Sequence, residues 1–367
     1  MYDRRTVLRA AGAGAAAALA GCSVTGDTAT GARTVTDGAG RDVELPESVE
    51  RVVAVGPGSL RQVAYLGATD RVVGVEADRN GSTTSAPYNV ANPDLREKSV
   101  IGSVGPNAGG NAEAIIAADP DVIFFYGDTS RAETLQSQTG IPVVALRITD
   151  FGNEHRRKRV YGMWRLVGTV LGREDRAEKL ATFVEETVAD LRDWTADLPD
   201  SQRAAAYAGA ISYKGAHGIA TTRRQFPPFR YAGVENVASG LETDGPSVEV
   251  SEEALLDWDP ETIFVDADNL SRAREDLTDN DVYDRLAAVE NGEVYTLLPH
   301  ASYHHNYGSV LANGYFVGTT LYPDRFGDVD FRTRVDSIYE TMLGAPLYDD
   351  LIDTYGAYQR LDDLDVG

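Results

Sequence analysis

Short apolar runs rich in β-branched residues alternate with amphipathic stretches along most of the chain. In the first half these runs are Val52–Val55, Val72–Val75, Val122–Phe125 and Val143–Leu146. An uninterrupted apolar run of this length is typical of a strand that is buried on both faces of a parallel sheet. Helical periodicity lies between the runs, as in Leu60–Leu66 and Ala112–Ala118. The alternation predicts an α/β fold with mostly parallel sheets.

The alternation stops in the middle of the chain. From Asn153 to about Leu198 the periodicity is helical, and Pro199 follows as a terminator. Strands are predicted to resume afterwards at Ala204–Tyr207, Thr262–Val265 and Val294–Leu297. The pattern therefore predicts two Rossmann-like α/β lobes joined by a long helical element.

An internal repeat supports two related lobes. The segment Asn111–Asp128 aligns without gaps with Ser251–Asp268, and the two share a glutamate register, an Asp-Pro pair and an Ile-Phe pair. Each copy reads as a helix, a turn ended by Asp-Pro, and a buried strand. An unrelated helix–turn–strand unit can look similar, but the shared registers favour a true structural repeat.

Charge and composition narrow the class of protein. The 367 residues carry a formal net charge of −23, spread along the chain, and lysine is scarce. A basic patch that could neutralise phosphates is missing from the sequence, so nucleic-acid binding is not expected. Acid-rich composition suits molar salt, where the Debye length is only about 3 Å, and a halophilic, haloarchaeal source is our interpretation. An ordinary acidic protein is the alternative.

The N-terminus has the features of an export signal. Arg4 and Arg5 precede the apolar run Ala10–Ala20, which is shorter than the roughly 20 residues needed to span a bilayer. The arginine pair resembles a twin-arginine signal, and the "LAGC" that ends at Cys22 resembles a lipobox. We therefore expect Cys22 to be lipidated after cleavage. It is the only cysteine, so an intrachain disulfide is excluded.

These patterns divide the chain into six predicted segments. They are a signal peptide at 1–22, a flexible tether at 23–33, an N-terminal α/β lobe at 34–152, a linking helical segment at 153–199, a C-terminal α/β lobe at 200–330, and a C-terminal helical extension at 331–367.

The order of several motifs resembles the substrate-binding lipoproteins of ABC importers. The resemblance covers about Arg33 to Phe326, and it rests on "VTDGAGRDVELPESVERVVAVGPGS", the two repeats, "ISYKGAHGI" and "NGEVYTLLPHASYHHNYGS". That family takes up iron–siderophore chelates, haem, cobalamin or molybdate. The resemblance implies two lobes joined by one rigid helix, a ligand held between them, and partners in a membrane permease and its ATPase. It also implies a monomer outside the cytoplasm, without a resident cofactor.

The resemblance also gives the paired glutamates a role. Glu113 and Glu253 occupy the positions at which one exposed glutamate per lobe docks on permease arginines in that family. A carboxylate near a helix N-terminus is stabilised by the helix dipole. A simple preference of glutamate for helix starts is the alternative explanation.

Loops after the predicted strands supply the candidate ligand contacts, because open parallel sheets bind ligands beyond the carboxyl ends of their strands. Lys214 and His217 lie in a glycine loop that suits an anionic ligand, and the loop "HASYHHNYG" concentrates histidine and tyrosine. Packing at a lobe edge is the alternative for the aromatic residues. The predicted contacts are Ser59, Tyr126, Tyr213, Lys214, His217, Tyr303, His304 and Tyr307.

Enzyme motifs are missing from the sequence. It holds no Gly-x-Ser-x-Gly elbow, no phosphate loop and no His-Glu-x-x-His pair. A zinc hydrolase built on His300, His304 and His305 is a distant alternative. The sequence therefore favours a binding protein whose first candidate ligand is an iron(III) chelate, with cobalamin, haem and molybdate or tungstate as alternatives. No protein metal ligand is predicted.

Overall fold

A computed structural model describes residues 33–78, 83–105, 109–212, 217–242 and 245–363. The predicted signal peptide, its Cys22 and most of the tether lie outside these residues. The strands are β1 Arg33–Thr36, β2 Asp42–Leu45, β3 Val52–Val55, β4 Val72–Ala77, β5 Ser99–Ser103, β6 Val122–Phe125, β7 Val143–Ala145, β8 Ala205–Gly209, β9 Thr221–Thr222, β10 Glu235–Asn236, β11 Val248–Glu249, β12 Ile263–Asp266 and β13 Val294–Leu297.

Helices separate most of these strands. They are α1 Ser59–Tyr65, α2 Pro87–Val90, α3 Ala112–Ala118, α4 Thr129–Thr139, α5 Glu154–Leu171, α6 Glu174–Asp193, α7 Pro227–Ala232, α8 Glu252–Trp258, α9 Leu270–Asp279, α10 Ala287–Glu290, α11 Tyr307–Leu321, α12 Phe331–Leu343 and α13 Tyr348–Tyr355. No helix among the described residues is long and apolar enough to cross a membrane.

The first lobe is built on a five-stranded sheet in the order β5-β4-β3-β6-β7, and all of its neighbouring pairs are parallel. Alternate residues of β3 enter different cores: Val52 and Ala54 face the large central core, whereas Val53 and Val55 face a smaller one. Burial on both faces explains why the run is apolar throughout. The predicted parallel α/β arrangement is confirmed.

The second lobe repeats this plan with four parallel strands in the order β10-β8-β12-β13. In β12 the side chain of Phe264 enters the central core, and those of Ile263 and Val265 enter a core of the second lobe alone. Each lobe therefore has its own outer core, and the two share an inner one.

The linking segment differs from the single long helix that we expected. It holds two helices, α5 and α6, because Gly172 ends α5 in the left-handed conformation at φ 63°. Gly168 lets the two helices approach closely, since a Cβ at this position would lie 3.1 Å from the Cβ of Ala177. The chain therefore folds back on itself, and helix α6 ends at Asp193, before the predicted terminator.

The two helices contribute to the core that the lobes share. Trp164 of α5 is fully buried, and its Nε1 donates a hydrogen bond to Gln62 of the first lobe at 3.0 Å. Its ring also packs against Tyr65 of the first lobe and against Tyr307, which begins α11 after the second sheet. This continuous packing limits independent movement of the lobes.

The internal repeat is confirmed as a structural repeat. Helices α3 and α8 are each seven residues long, and each is capped by a side chain, Asn111 or Ser251, that accepts a hydrogen bond from the third backbone N–H beyond it. Each helix ends at an aspartate in the left-handed region, with φ 52° at Asp119 and φ 36° at Asp259. A proline and a buried strand follow in both copies.

Candidate functional site at the lobe junction

The loop that follows β13 lies against the carboxyl ends of the first lobe's strands. The ring of His304 meets the ring of Tyr126 edge-on, with the centroids 4.8 Å apart. Gly58 lies beneath the same histidine, and a Cβ at this position would lie 2.9 Å from the Cβ of His304. A glycine is therefore required there, since its φ of 80° also favours glycine.

Two consecutive residues of this loop have a backbone conformation that side chains disfavour. Tyr303 has φ 44° and His304 has φ 85°. Arg61 of the first lobe holds the loop from below, because its guanidinium donates to the carbonyls of Ser302 and His305 at 2.9 and 2.8 Å. Strain of this kind persists only where surrounding contacts enforce it, and it is concentrated at ligand-binding sites.

Tyr303 joins the loop to the first lobe a second time. Its hydroxyl donates to Oε2 of Glu76 at 3.3 Å and accepts from the backbone N–H of Gly105 at 3.3 Å. Glu76 is the fifth residue of β4, and burial raises the pKa of its carboxyl group to about 7. Sequence analysis did not select Glu76, although its place near the end of a buried strand is a usable signal.

A series of buried, hydrogen-bonded polar and charged side chains crosses the junction between the lobes. Nδ1 of His300 lies 3.0 Å from Oδ2 of Asp266, and its Nε2 lies 3.0 Å from Nη1 of Arg223. Arg223 then donates to Asp150, at the end of the first lobe, at 3.2 Å, and Arg156 donates to the same carboxylate. The Asp150–Arg223 pair is a buried ion pair between the lobes.

These hydrogen bonds fix the protonation state of His300. A guanidinium has only donors, so Nε2 must accept, and Nδ1 must carry the proton that is donated to Asp266. Burial, reinforced by the charge of Arg223, lowers the pKa of His300 to about 3, so the ring is neutral at physiological pH. Burial also raises the pKa of Asp266 to about 7. Burial opposes ionisation of Asp150 too, but Arg223 and the hydrogen bonds it accepts keep its pKa well below the ordinary value.

Three buried nitrogen atoms at the junction have no hydrogen-bond partner among the described residues. They are Nε of Arg61, Nε of Arg223 and Nδ1 of His305. Burial lowers the pKa of His305 to about 3, so this ring is also neutral. Unpaired buried donors are rare in native proteins, and each calls for a ligand or a water molecule. Both arginine atoms are N–H donors, and Nδ1 of the neutral His305 is a donor in one of its two tautomers. The three atoms around one loop are therefore suited to an acceptor-rich, anionic ligand.

The structure brings together some of the residues predicted to contact ligand. Tyr126, Tyr303 and His304 are half-buried and meet at the junction. His217 lies in the second lobe, where its backbone N–H donates to the side chain of Asn269. Tyr213 lies outside the described residues, and so does Lys214.

Ser59 and Tyr307 occupy different positions from those expected. Both are fully buried, and their hydroxyls donate to the carbonyls of Val55 and Thr149 respectively. Ser59 begins α1, and the ring of Tyr307 stacks on that of Phe151. In this arrangement the two side chains support the site from within the core.

The predicted docking glutamates are exposed. Glu113 lies in the first turn of α3, and Glu253 lies in the first turn of α8. The described residues contain no cluster of three or more histidine, cysteine or acidic side chains that could hold a metal ion. Arg61, Asp150 and Asp266 were not predicted, because sequence patterns do not show which charged residues become buried.

Comparisons with known proteins agree with this architecture. A family model described as "Periplasmic binding protein" matches residues 52–301. The molybdate-binding protein MolA of Haemophilus influenzae is 24% identical over 327 residues, which cover 84% of this chain and 90% of that protein. A cobalamin-binding protein of Halobacterium salinarum is 24% identical over 261 residues, which cover 71% of this chain and 64% of that protein.

Solved structures give the same fold. The structure of MolA bound to molybdate superposes with a TM-score of 0.66 at 20% identity, and the match covers 86% of this chain and 98% of that one. A periplasmic solute-binding protein from Veillonella parvula superposes with a TM-score of 0.68 at 22% identity, over 88% of this chain and 96% of that one.

Proposed function

This chain belongs to the periplasmic binding protein family, and from that premise we propose that it captures a small metal-bearing anion for an ABC importer. It is thus a solute-binding component and not an enzyme, which removes the zinc-hydrolase alternative. The ligand lies between the lobes, in contact with Tyr126, Tyr303 and His304. The permease and its ATPase are the partners.

One observation carries the proposal that the ligand is an anion. Arg61, Arg223 and His305 each hold a buried nitrogen without a partner among the described residues, and they surround one strained loop. A buried donor without an acceptor costs about 1–3 kcal/mol. An anion with several oxygen atoms, bound at the junction, supplies the missing acceptors.

The first ligand that we propose is an iron(III) chelate of siderophore type, because anionic carboxylate or catecholate oxygens match these donors. Molybdate or tungstate is the second candidate, and it is favoured by the similarity to MolA over 90% of that protein's length. Cobalamin and haem belong in the test panel, since relatives or structural neighbours are named for them.

Calorimetric titration of the chain without residues 1–22, in multimolar KCl, tests the ligand class. Ferric hydroxamates, ferric catecholates, molybdate, tungstate, haem and cobalamin are added separately. His305→Phe removes one unpaired nitrogen, and the affinity for the bound anion should fall about tenfold or more. His155→Phe, at an exposed position on α5, is the matched control and should bind as the wild type does. A folded protein that binds no anion would overturn the proposed ligand class.

We also propose that Glu113 and Glu253 dock on permease arginines. Both are exposed on equivalent helices of the two lobes. Each lobe therefore presents one carboxylate, which suits docking on a permease with two-fold symmetry. A double Glu113→Lys, Glu253→Lys variant should bind ligand normally and lose uptake in cells. Glu133→Lys, exposed on α4, is the control. A loss of ligand affinity in the double variant would refute docking as the role.

The N-terminal features complete the proposal. A twin-arginine signal would export the folded chain, and a lipid on Cys22 would hold the monomer at the outer face of the membrane of a haloarchaeal cell. Mass spectrometry of the membrane-bound protein tests this proposal, because a diacyl group on an N-terminal Cys22 has a defined mass. An unmodified chain that begins before Cys22 would contradict it.

A further inference from the structure

A second cavity lies beside the junction, within the first lobe. Its volume is about 330 Å³, which is within the range for small-molecule sites. The ends of β3 and β4 form its floor, α2 forms a wall, and Tyr303 of the second lobe closes one side. The cavity shares Tyr303 with the site proposed above and extends from it into the first lobe.

Glu76 is the polar group that points to a ligand. Its Oε2 atom accepts hydrogen bonds from the backbone N–H of Gly56 at 3.0 Å and from the hydroxyl of Tyr303. Its Oε1 atom is buried and has no partner among the described residues. Because Oε2 is already occupied by two donors, Oε1 is the atom left to accept a bond from an occupant of the cavity.

The rest of the cavity wall is unsuited to an anion. Asp78 contributes a second carboxylate, which accepts from the hydroxyl and backbone N–H of Thr83. Arg96 donates its Nη2 to the carbonyl of Thr84 at 2.9 Å. Apolar side chains make up most of the remaining wall, among them Val75 and Leu95. Above pH 7, where Glu76 is ionised, the wall holds two carboxylates and one arginine, and it favours a hydrogen-bond donor over a negative charge.

We propose that this cavity is a subsite for an amine or hydroxyl group on the organic part of the ligand, which donates a hydrogen bond to Oε1 of Glu76. The inference rests on the proposed function and deepens it. The neighbouring junction nitrogens bind the anionic centre, while the cavity binds a donor arm. A chelate with an organic scaffold has both features, whereas bare molybdate has only the first.

A crystallographic soak tests the subsite without knowledge of the natural ligand. Crystals of the chain without residues 1–22 are soaked above pH 7, where Glu76 is ionised, with ethanolamine or with acetate, which is similar in size but lacks a donor at that pH. Ethanolamine should occupy the cavity, within hydrogen-bond distance of Oε1, and acetate should be absent. Separate soaks with propylamine and propan-1-ol then show whether the amine or the hydroxyl is preferred.

Glu76→Gln should reverse this selectivity. Gly56 and Tyr303 both donate to residue 76, so the amide oxygen of glutamine must face them, and its NH₂ group then faces the cavity. The variant should admit acetate and reject ethanolamine. An empty cavity in the wild type, or equal ethanolamine occupancy in the variant, would overturn the proposal.

Titration with whole ligands separates this inference from the proposed function. Ferrioxamine B is a ferric hydroxamate whose neutral iron centre presents acceptor oxygens to the junction nitrogens and whose arm ends in a free amine. Molybdate is the matched probe without an organic arm. Glu76→Gln should weaken ferrioxamine B about tenfold and leave molybdate unchanged. Equal effects on both probes would refute the subsite. If neither probe binds, the proposed ligand class is wrong, and only the crystallographic soaks then test whether the cavity binds a hydrogen-bond donor.

Discussion

A carboxylate lies at or near the carboxyl end of a parallel strand in each lobe, half-buried at Glu76 and fully buried at Asp266, and the two differ in their hydrogen bonding. Glu76 ends the apolar part of β4 and Asp266 ends β12, and burial raises the pKa of both to about 7. Asp266 uses both oxygens, one towards His300 and one towards the backbone N–H of Asp268. Glu76 uses one oxygen; its other oxygen has no partner among the described residues, and the residue lines a cavity.

The difference separates a structural role from a binding role. Asp266 begins the chain of paired groups that ends at Asp150, so its cost of burial is offset within the protein. The burial of Glu76 is only partly offset, and the remaining acceptor is available to a ligand. The same residue chemistry at the same place in a sheet therefore serves two purposes, and the hydrogen-bond inventory decides between them.

We expect the largest loss of stability when a carboxylate is removed from the hydrogen-bonded series that joins Asp266 to Asp150. Asp150→Ala leaves Arg223 buried without its carboxylate, and the free energy of unfolding should fall by about 3–5 kcal/mol. Asp197→Ala is the control, because it removes an exposed, solvent-screened ion pair with Arg325 and should change the stability little. Urea unfolding of both variants measures the difference. Similar losses of stability in the two variants would show that the buried Asp150–Arg223 ion pair at the junction does not stabilise the protein.

A smaller effect is expected in the pH dependence of stability, which also distinguishes Glu76 from Asp266. The pKa of Glu76 is raised from 4.5 to about 7, so the folded chain binds this proton more tightly than the unfolded chain. Its contribution to stability is therefore lost as the pH rises from about 4.5 to about 7. Glu76→Gln should abolish this loss, and the variant should gain at most about 3 kcal/mol relative to wild type across that interval.

The control for this experiment is the paired carboxylate. Ionisation of Asp266 also lowers stability as the pH rises, but the depressed pKa of His300 has the opposite effect between about 3 and 6.5. The two slopes oppose each other, so a double Asp266→Asn, His300→Asn variant should keep nearly the wild-type pH profile. Urea unfolding at a series of pH values provides both curves. A Glu76→Gln profile parallel to that of wild type would contradict the assignment.

The smallest expected effect compares the two copies of the internal repeat, one in each lobe. Asp119 and Asp259 both end a helix in the left-handed region, where glycine is favoured. Asp119→Gly should therefore raise the free energy of unfolding by up to about 1 kcal/mol. Asp259→Gly should gain less, because the carboxylate of Asp259 accepts a hydrogen bond from the backbone N–H of Ala287 at 2.8 Å. Thermal unfolding resolves the order, and equal gains would show that this bond contributes nothing.

The site was only partly predictable from the sequence. Tyr126, Tyr303 and His304 were found because they follow predicted strands, and the strand-end rule holds for any parallel sheet. Arg61 was not found as a site residue, since its burial depends on packing between lobes that are far apart in sequence. Tyr307 follows the same loop but turns into the core, because the stacking surfaces of Tyr65 and Phe151 lie there.

The sequence by itself determined the elements of this protein, because strand burial, helix caps and Asp-Pro turns depend on residues close together in the chain. The runs Val52–Val55 and Val122–Phe125 are strands with the predicted bounds, and the repeated helices begin and end as their caps require. The tertiary structure decided which polar groups are paired and which are left for a ligand. Whether Glu76 or Asp266 keeps a free oxygen depends on the folded position of the 299–306 loop, which brings His300 to Asp266 within the second lobe and Tyr303 to Glu76 across the lobe junction.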